Sequence, residues 1–363
     1  MIGKLFLEDG SFYEGQGFGA VGTSVGELVF NTSMTGYEKM LTDPCYSGQV
    51  VTMTYPLVGN YGINGEESQS NKIYARGLVV RECCQEPSNY LCEKTLDQWL
   101  KEMGVPGISG VDTRKITKKI RNQGTMKCVI TTENKSVTEL KKICEETPIR
   151  GDLMKEASWA KGEDFAKKEG AFNVAVLDFG AKRSILESLE AFGCNLNIFP
   201  YGFTAEEVLT SNPDGVFLTN GPGDPQEAEE AIEAVKKLLQ AKKADGKPLP
   251  MFGVCMGHQI LALALGGEVY KLKYGHRGGN LGVYNLGMDK SVITSQNHGF
   301  AVKAESMLLK NMDITEVNLN DKTVEGMCHR EKPVFSVQYQ PEATPEYGDS
   351  KYLFEKFVDL MKM

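Results

Sequence analysis

The spacing of hydrophobic positions changes about halfway along the chain. Residues 1–132 contain short apolar runs among glycine, threonine and β-branched residues, such as GELVF and QVVTMTYPLV, which predict strands of a mixed β-rich domain. The helical patterns TLDQWLKEMG and TRKITKKIRNQG and the strand-like MKCVITT complete this part. Residues 133–170 are polar and charged, so we expect short helices and a linker there rather than a core.

Residues 171–363 alternate between strand and helix patterns. Short apolar runs such as FNVAVLDF, DGVFLTN and LPMFGV are typical of buried parallel strands, and segments such as KRSILESLEAFG and QEAEEAIEAVKKLLQAKKA between them predict helices. This alternation predicts a doubly wound α/β domain with helices on both faces of its sheet. Later segments, from EVYKLKYG to VFSVQYQ, predict added strands of a mixed sheet. We therefore expect an α/β fold preceded by a β-rich α+β domain.

Composition is that of an ordinary globular protein. The chain has 363 residues, which suggests two domains, with 41% hydrophobic and 24% charged residues. A net charge of −8 excludes a basic surface for coating nucleic acid, and no apolar run approaches the ~20 residues of a membrane helix. Because Glu8 and Asp9 interrupt any signal-peptide core, we expect a cytoplasmic protein that binds neither nucleic acid nor membranes. Nine cysteines without a CxxC pair and only four histidines predict reduced thiols and no metal site.

Two glycine-rich turns follow predicted parallel strands, at the sheet edge where α/β domains bind ligands. The segment GVCMG (253–257) stands between an apolar strand and an apolar helix, with the spacing of a nucleophile elbow. There the helix dipole and free N–H groups favour a thiolate at Cys255 and stabilise an oxyanion. Met256 N–H is the natural first oxyanion donor, and Gly221, in the turn NGPGDP (220–225), is a candidate for the second.

These motifs resemble those of class I glutamine amidotransferases. The matching segments are GVCMGHQ (253–259), NGPGDP (220–225) and QPE (340–342). Over essentially the whole chain, the sequence also resembles the family of small subunits of carbamoyl-phosphate synthetase. The segments that carry this second resemblance are GELVFNTSMTGYEKMLTDPCYSGQVVTMTYPLVGNYG, GVDTRKIT, YGHRGGN and SQNHGFAV.

The resemblance implies a glutaminase. The Cys255 thiolate would attack the side-chain amide of L-glutamine and release ammonia, leaving a thioester for water to hydrolyse. Ammonia would pass to the large synthetase subunit, which would use ATP and magnesium to make carbamoyl phosphate for pyrimidine and arginine synthesis. This chain has no GxxxxGK[ST] phosphate loop, and no cofactor or metal is expected on it.

The resemblance also implies further site residues. Glu342 would be the second catalytic residue, and Gly221 and Met256 would supply the oxyanion N–H groups. For several of the others, a role in shaping a turn or in packing is the alternative. Glutamine binding would involve Ser47, Gly221, Gly223, Met256, Gln259, Asn297, Gly299 and Phe300.

Position 340 departs from the family pattern His-Pro-Glu, because Gln340 stands where the histidine general base is expected. A carboxamide can form hydrogen bonds but can neither take the thiol proton nor return one to ammonia. We therefore expect substrate binding to survive and turnover to fall by several orders of magnitude. We expect none of His276, His298 and His329 to replace the base, and we expect His258 to face a packing partner.

Two functional interpretations of different classes stay open. In the first, the chain is a glutaminase subunit impaired by Gln340. In the second, it is a catalytically silent binding or regulatory small subunit of an ammonia-dependent synthetase. A third interpretation, an amidotransferase domain that serves another synthetase, is disfavoured because residues 1–132 match a segment specific to the carbamoyl-phosphate synthetase family.

Overall fold

The computed structural model describes residues 1–149, 151–159, 170–243, 245–308, 310–343 and 350–363. The chain divides into two compact units, Met1–Leu153 and Met154–Met363. The division lies within the segment 133–170 that the sequence predicts as a linker. Residues 160–169 of that segment lie outside the described residues. No helix in the described ranges combines the length and the apolar character that crossing a membrane requires.

The first unit is built on short strands and a few helices. Its strands are β1 (Ile2–Leu7), β2 (Phe12–Gly19), β3 (Thr23–Asn31), β4 (Gln49–Met53), β5 (Leu57–Val58), β6 (Gly77–Val79), β7 (Glu82–Cys83), β8 (Pro106–Ser109) and β9 (Met126–Thr131). Its helices are α1 (Tyr37–Thr42), α2 (Leu96–Glu102), α3 (Thr113–Gln123) and α4 (Val137–Glu146), and α5 (Leu153–Ala157) follows at the division. One sheet closes on itself in the order β1-β2-β8-β6-β4-β3-β9, and β5 pairs with β7.

Helix α4 shows why part of the polar segment after residue 132 is ordered. Its N-terminus has a capping box, in which Ser136 accepts from Glu139 N–H and the Glu139 side chain accepts in return. Its buried face is small and consists of Leu140 and Cys144, which pack against the first unit. A charged helix with two apolar positions therefore extends this unit beyond residue 132.

The second unit has one mixed sheet in the order β11-β10-β12-β13-β18-β17-β16-β14-β15, whose first five strands pair in parallel and whose others pair antiparallel. These strands are β10 (Phe172–Leu177), β11 (Cys194–Phe199), β12 (Gly215–Leu218), β13 (Met251–Val254), β14 (Val269–Asn285), β15 (Lys290–Val302), β16 (Met312–Asn318), β17 (Val324–His329) and β18 (Val334–Val337). Its helices are α6 (Arg183–Ala191), α7 (Ala205–Thr210), α8 (Glu229–Leu238), α9 (Met256–Ala264), α10 (Ala304–Leu308) and α11 (Tyr352–Lys362).

Both faces of this sheet are covered, as the continuous apolar strands predict. Along β10, Ala175 and Leu177 face the core formed with α7, α8 and α9, whereas Val174 and Val176 face the core formed with α6 and α11. The predicted α/β fold with a mixed sheet is confirmed. Helix α8 is shorter than its pattern, because the residues before it form a separate 3-10 turn capped by Asp224.

Candidate active site

The strand-to-helix turn at Cys255 has the strained backbone that the GVCMG spacing predicts. Cys255 lies between β13 and α9 with φ of 54° and ψ of −103°, a region that side chains other than glycine rarely adopt. The two glycines are sterically required. A Cβ on Gly253 would lie 2.6 Å from Leu261 Cδ1, and one on Gly257 would lie 2.3 Å from Leu218 O. The turn thus forces one cysteine side chain out at the start of a helix.

The thiol of Cys255 faces strand β15. Its Sγ lies 3.7 Å from Asn297 O, and its backbone N–H donates to Val337 O at 2.9 Å. At the N-terminus of α9, the first N–H groups have no helical acceptor and point toward the thiol side of the turn. By contrast, burial raises the pKa of both Cys83 and Cys194 to about 12, which keeps those thiols protonated and unreactive.

The second glycine turn is tied directly to the elbow. Gly257 N–H donates to Thr219 O at 2.9 Å, so the start of α9 and the end of β12 hold one another. A Cβ on Gly221 would lie 2.5 Å from Phe179 O, and Gly223 has φ of 91°, so both positions require glycine. This bond brings the two motifs together at the carboxyl edge of the sheet.

The residues predicted to hold glutamine from β15 have buried, unpaired polar atoms. Neither Nδ2 nor Oδ1 of Asn297 has a hydrogen-bond partner among the described residues, although the side chain is buried. Unpaired buried amide atoms are costly, and a polar ligand would satisfy them. Gly299 and Phe300 follow on the same strand.

Gln259 has another use in this structure. Its Nε2 donates to Phe300 O at 3.0 Å and to Gln338 Oε1 at 3.0 Å. The amide nitrogen of Gln259 therefore fastens α9 to β15 and to the segment after β18. Any contact of Gln259 with glutamine would have to use its other atoms.

The third motif reaches the same edge through β18, which is parallel to β13 with Val254 opposite Val337. Gln340 lies three residues beyond β18, is buried, and donates its backbone N–H to Ser295 O at 3.0 Å. The fully buried side chain of Glu342 forms an ion pair with Lys182, which is also buried. Sequence reasoning missed Lys182. The available signal was its position just after β10, on the edge where the motifs converge.

The histidines have partners of their own. His258 Nδ1 lies 2.8 Å from Ser336 Oγ, and burial lowers its pKa to about 3, so it is a neutral packed residue. Burial also lowers the pKa of His298 well below its ordinary value. Burial opposes protonation of His276, yet its contacts with Asp321 and Glu325 raise the pKa to about 9. These partners hold the three imidazoles in contacts that do not involve the nucleophile.

One group of side chains has the residue types of a metal site. His276, His298 and Glu325 have ligand atoms within 4.8 Å of one another. Both nitrogens of His298 and both oxygens of Glu325 already lie at hydrogen-bond distance from protein atoms. The arrangement is that of a hydrogen-bonded network.

Ser47 lies in the first unit. It is buried and follows a 3-10 turn, with its N–H donating to Pro44 O at 2.9 Å. Its role in glutamine binding stays a prediction.

The second unit defines a class of protein. Residues 175–360 match the family model described as glutamine amidotransferase class-I, and residues 5–130 match the model described as the CPSase domain of carbamoyl-phosphate synthase small chain. Among solved structures, a GMP synthase component from Thermoplasma acidophilum is similar at a TM-score of 0.44 and 22% identity, over 53% of this chain and 94% of that one.

Similar curated proteins narrow the family. The Clostridium acetobutylicum protein is 52% identical and covers 99% of this chain and 100% of its own length. Those of Clostridium perfringens (49%, 99% of each chain) and Listeria monocytogenes serotype 4b (45%, 98% of this chain and 96% of its own) are also similar. All three are named carbamoyl phosphate synthase small chain. This chain belongs to the carbamoyl phosphate synthase small-chain family.

Proposed function

We propose that the chain hydrolyses glutamine for a carbamoyl-phosphate synthetase, at a rate limited by Gln340. The observation that carries this proposal is the backbone of Cys255, at a φ of 54° between β13 and α9. That geometry places a thiol at a helix N-terminus, where backbone N–H groups can stabilise both a thiolate and an oxyanion. The names of the relatives support the synthetase part of the proposal.

The proposed reaction has two covalent steps. The Cys255 thiolate adds to the side-chain amide carbon of glutamine, and N–H groups of Met256 and Gly221 receive the oxyanion. The carbon–nitrogen bond breaks, the nitrogen takes a proton and leaves as ammonia, and a thioester stays on the sulfur. Water then attacks the thioester carbon, the carbon–sulfur bond breaks, and glutamate leaves.

Proton transfer is the weak step of this mechanism. An imidazole at position 340 would take the thiol proton and deliver it to the leaving nitrogen, but Gln340 can do neither. The Glu342 carboxylate would orient such an imidazole, whereas here its charge is balanced by Lys182. A thiol still supports slow turnover, since a few per cent of an ordinary cysteine is thiolate at neutral pH.

Glutamine would be held by groups from three segments. The unpaired amide of Asn297 and the backbone at Gly299 and Phe300 would contact it from β15. Gly223, with no side chain, would admit it beside the oxyanion turn, and Gln259 would hold Phe300 in place. Ser47 would bind the α-carboxylate or amino end.

The second partner in the proposal is the large synthetase subunit. It would bind ATP and magnesium and use the ammonia released here, since no phosphate loop occurs in this chain. The second candidate function, a silent binding or regulatory small subunit, is favoured by one observation, the carboxamide at position 340. The two functions share the partner and differ in the source of nitrogen.

The test is carbamoyl phosphate formation by the complex of this chain with its native large chain. Glutamine and ammonium are supplied separately, and Cys255→Ala serves as the control. Slow glutamine-dependent synthesis that Cys255→Ala abolishes supports the glutaminase. Synthesis from ammonium alone supports the silent subunit, and failure of the two chains to co-purify contradicts both.

A further inference from the structure

A chain of buried side chains lies between β14, β15 and β17, outside the motif residues. Its centre is Glu325, whose carboxylate is fully buried. Glu325 Oε2 accepts from Gln296 Nε2 at 3.2 Å, and Oε1 accepts from Asn318 Nδ2 at 2.8 Å. Oε1 also lies 3.6 Å from His276 Nδ1, and His276 Nε2 lies 2.9 Å from Asp321 Oδ2.

This chain continues to the segment predicted to hold glutamine. Gln296 Oε1 lies 3.0 Å from His298 Nε2, and His298 Nδ1 lies 2.8 Å from Phe300 O. Phe300 O also accepts from Gln259 Nε2 at 3.0 Å. Gln296 and His298 are the two neighbours of Asn297, so both sides of that residue are held by this chain of contacts.

The chemistry of the groups makes Glu325 the directing member. Both of its oxygens face amide donors, so it acts as a carboxylate that only accepts. Gln296 must therefore turn its NH₂ group toward Glu325 and its carbonyl toward His298. The orientation of one amide then decides which atom His298 meets, and His298 in turn meets the carbonyl of Phe300. Groups that orient a functional residue in this way from behind are costly to replace.

We propose that Glu325 is a positioning residue for glutamine binding, which acts through Gln296 and His298 to hold the backbone from Asn297 to Phe300. The inference rests on the proposed function, because it names glutamine as the ligand of that segment. His276 and Asn318 hold the carboxylate in place and so belong to the same support.

The test is direct binding of L-glutamine to the full chain by titration calorimetry. Glu325→Gln places one NH₂ group where two donors already converge, so it cannot accept from both Gln296 and Asn318. We expect its affinity for glutamine to fall about tenfold. Glu316→Gln is the matched control, since Glu316 is also a buried carboxylate of the same sheet that accepts from Asn285, at 2.8 Å. We expect this control to be destabilised while it binds glutamine within about twofold of the unchanged chain.

A second variant and a second measurement separate positioning from stability. Gln296→Met breaks the link and leaves the carboxylate in place, so it tests the proposal even if Glu325→Gln does not fold. With Gln340→His added to restore turnover, Glu325→Gln should raise the KM for glutamine about tenfold and leave kcat within about twofold.

The outcomes are distinct. Unchanged affinity in folded Glu325→Gln or Gln296→Met overturns the positioning role and leaves the proposed function intact. Equal weakening in Glu316→Gln overturns it too, because general destabilisation then explains the loss. If the unchanged chain binds no glutamine, the proposed function fails, and this inference fails with it.

Discussion

Replacing Gln340 by histidine is the most informative change in the chain. The structure supplies the other parts of the proposed site, namely the strained nucleophile turn, the helix N-terminus and a buried Glu342. Gln340 follows the strand that neighbours β13, and its backbone is fixed by the bond to Ser295. An imidazole introduced by Gln340→His would therefore start from a backbone position on the same sheet edge as Cys255.

The magnitude follows from what one base contributes. A positioned acid–base group typically accelerates a reaction by ~10² to 10⁴, which lowers the barrier by ~2.7 to 5.4 kcal/mol. We expect Gln340→His to raise the rate of glutamine hydrolysis by ~10² or more. The carboxylate of Glu342 must then serve both the imidazole and Lys182, so the gain is expected to be below that of a site with its carboxylate fully available.

The assay is glutamate formation from glutamine by the purified chain, alone and with its large partner. The rate of Gln340→His should rise with pH as the imidazole loses its proton, near pH 6.5 for an ordinary histidine. Gln340→Asn should give no gain, because it also lacks a titrating group. Adding Cys255→Ala should abolish the gain. Equal rates before and after Gln340→His, in a folded protein, would show that another group is the base.

Three further predictions test the same geometry. Cys255 should be the thiol most rapidly alkylated near neutral pH, with protection by glutamine, and peptide mapping that finds another cysteine modified first contradicts the elbow. Gly257→Ala should slow that alkylation and cost about 1 to 3 kcal/mol, because its Cβ would lie 2.3 Å from Leu218 O. Gly287→Ala is the control, since its nearest contact would be 3.6 Å, and equal melting temperatures for the two variants refute the steric argument. Because the pKa of His258 is lowered to about 3, the folded state resists protonation below pH 6.5, and stability falls by about 1.4 kcal/mol per pH unit there. Urea unfolding of His258→Gln should show a shallower fall between pH 6.5 and 5.5, and an identical slope contradicts the assignment.

The sequence predicts those parts of the fold that depend on local pattern. Apolar runs such as FNVAVLDF identify β10 because buried parallel strands have no polar face, and the structure buries alternate residues of β10 against opposite helix layers. The elbow at Cys255 is predictable for a similar reason. Its geometry depends on small residues two positions apart, and the clashes found for Gly253 and Gly257 are local.

The remainder depends on contacts between residues far apart in the chain. Lys182 and Glu342 are separated by 160 positions, and nothing near either residue indicates that the two form an ion pair. Glu325 occupies one position in an ordinary strand pattern, yet its carboxylate joins side chains from β14, β15 and β16. The motif predicts that the amide of Gln259 holds substrate, whereas in the structure its nitrogen bonds to Phe300 and Gln338. Local pattern carries no information about such pairings.

The strain at Cys255 bears on the choice between a slow glutaminase and a silent small chain. Holding a residue other than glycine at such a positive φ costs about 1 to 3 kcal/mol, and the surrounding packing must offset that cost. Glycine at position 255 would relieve the strain without disturbing the neighbouring Gly253 and Gly257. A protein that only docks and gates therefore has no physical need for a cysteine at this position. Binding and acid–base chemistry are also carried by different segments, β15 with α9 for the first and the residues after β18 for the second. Loss of the base alone is thus compatible with a site that binds glutamine and turns it over slowly, and this favours the glutaminase.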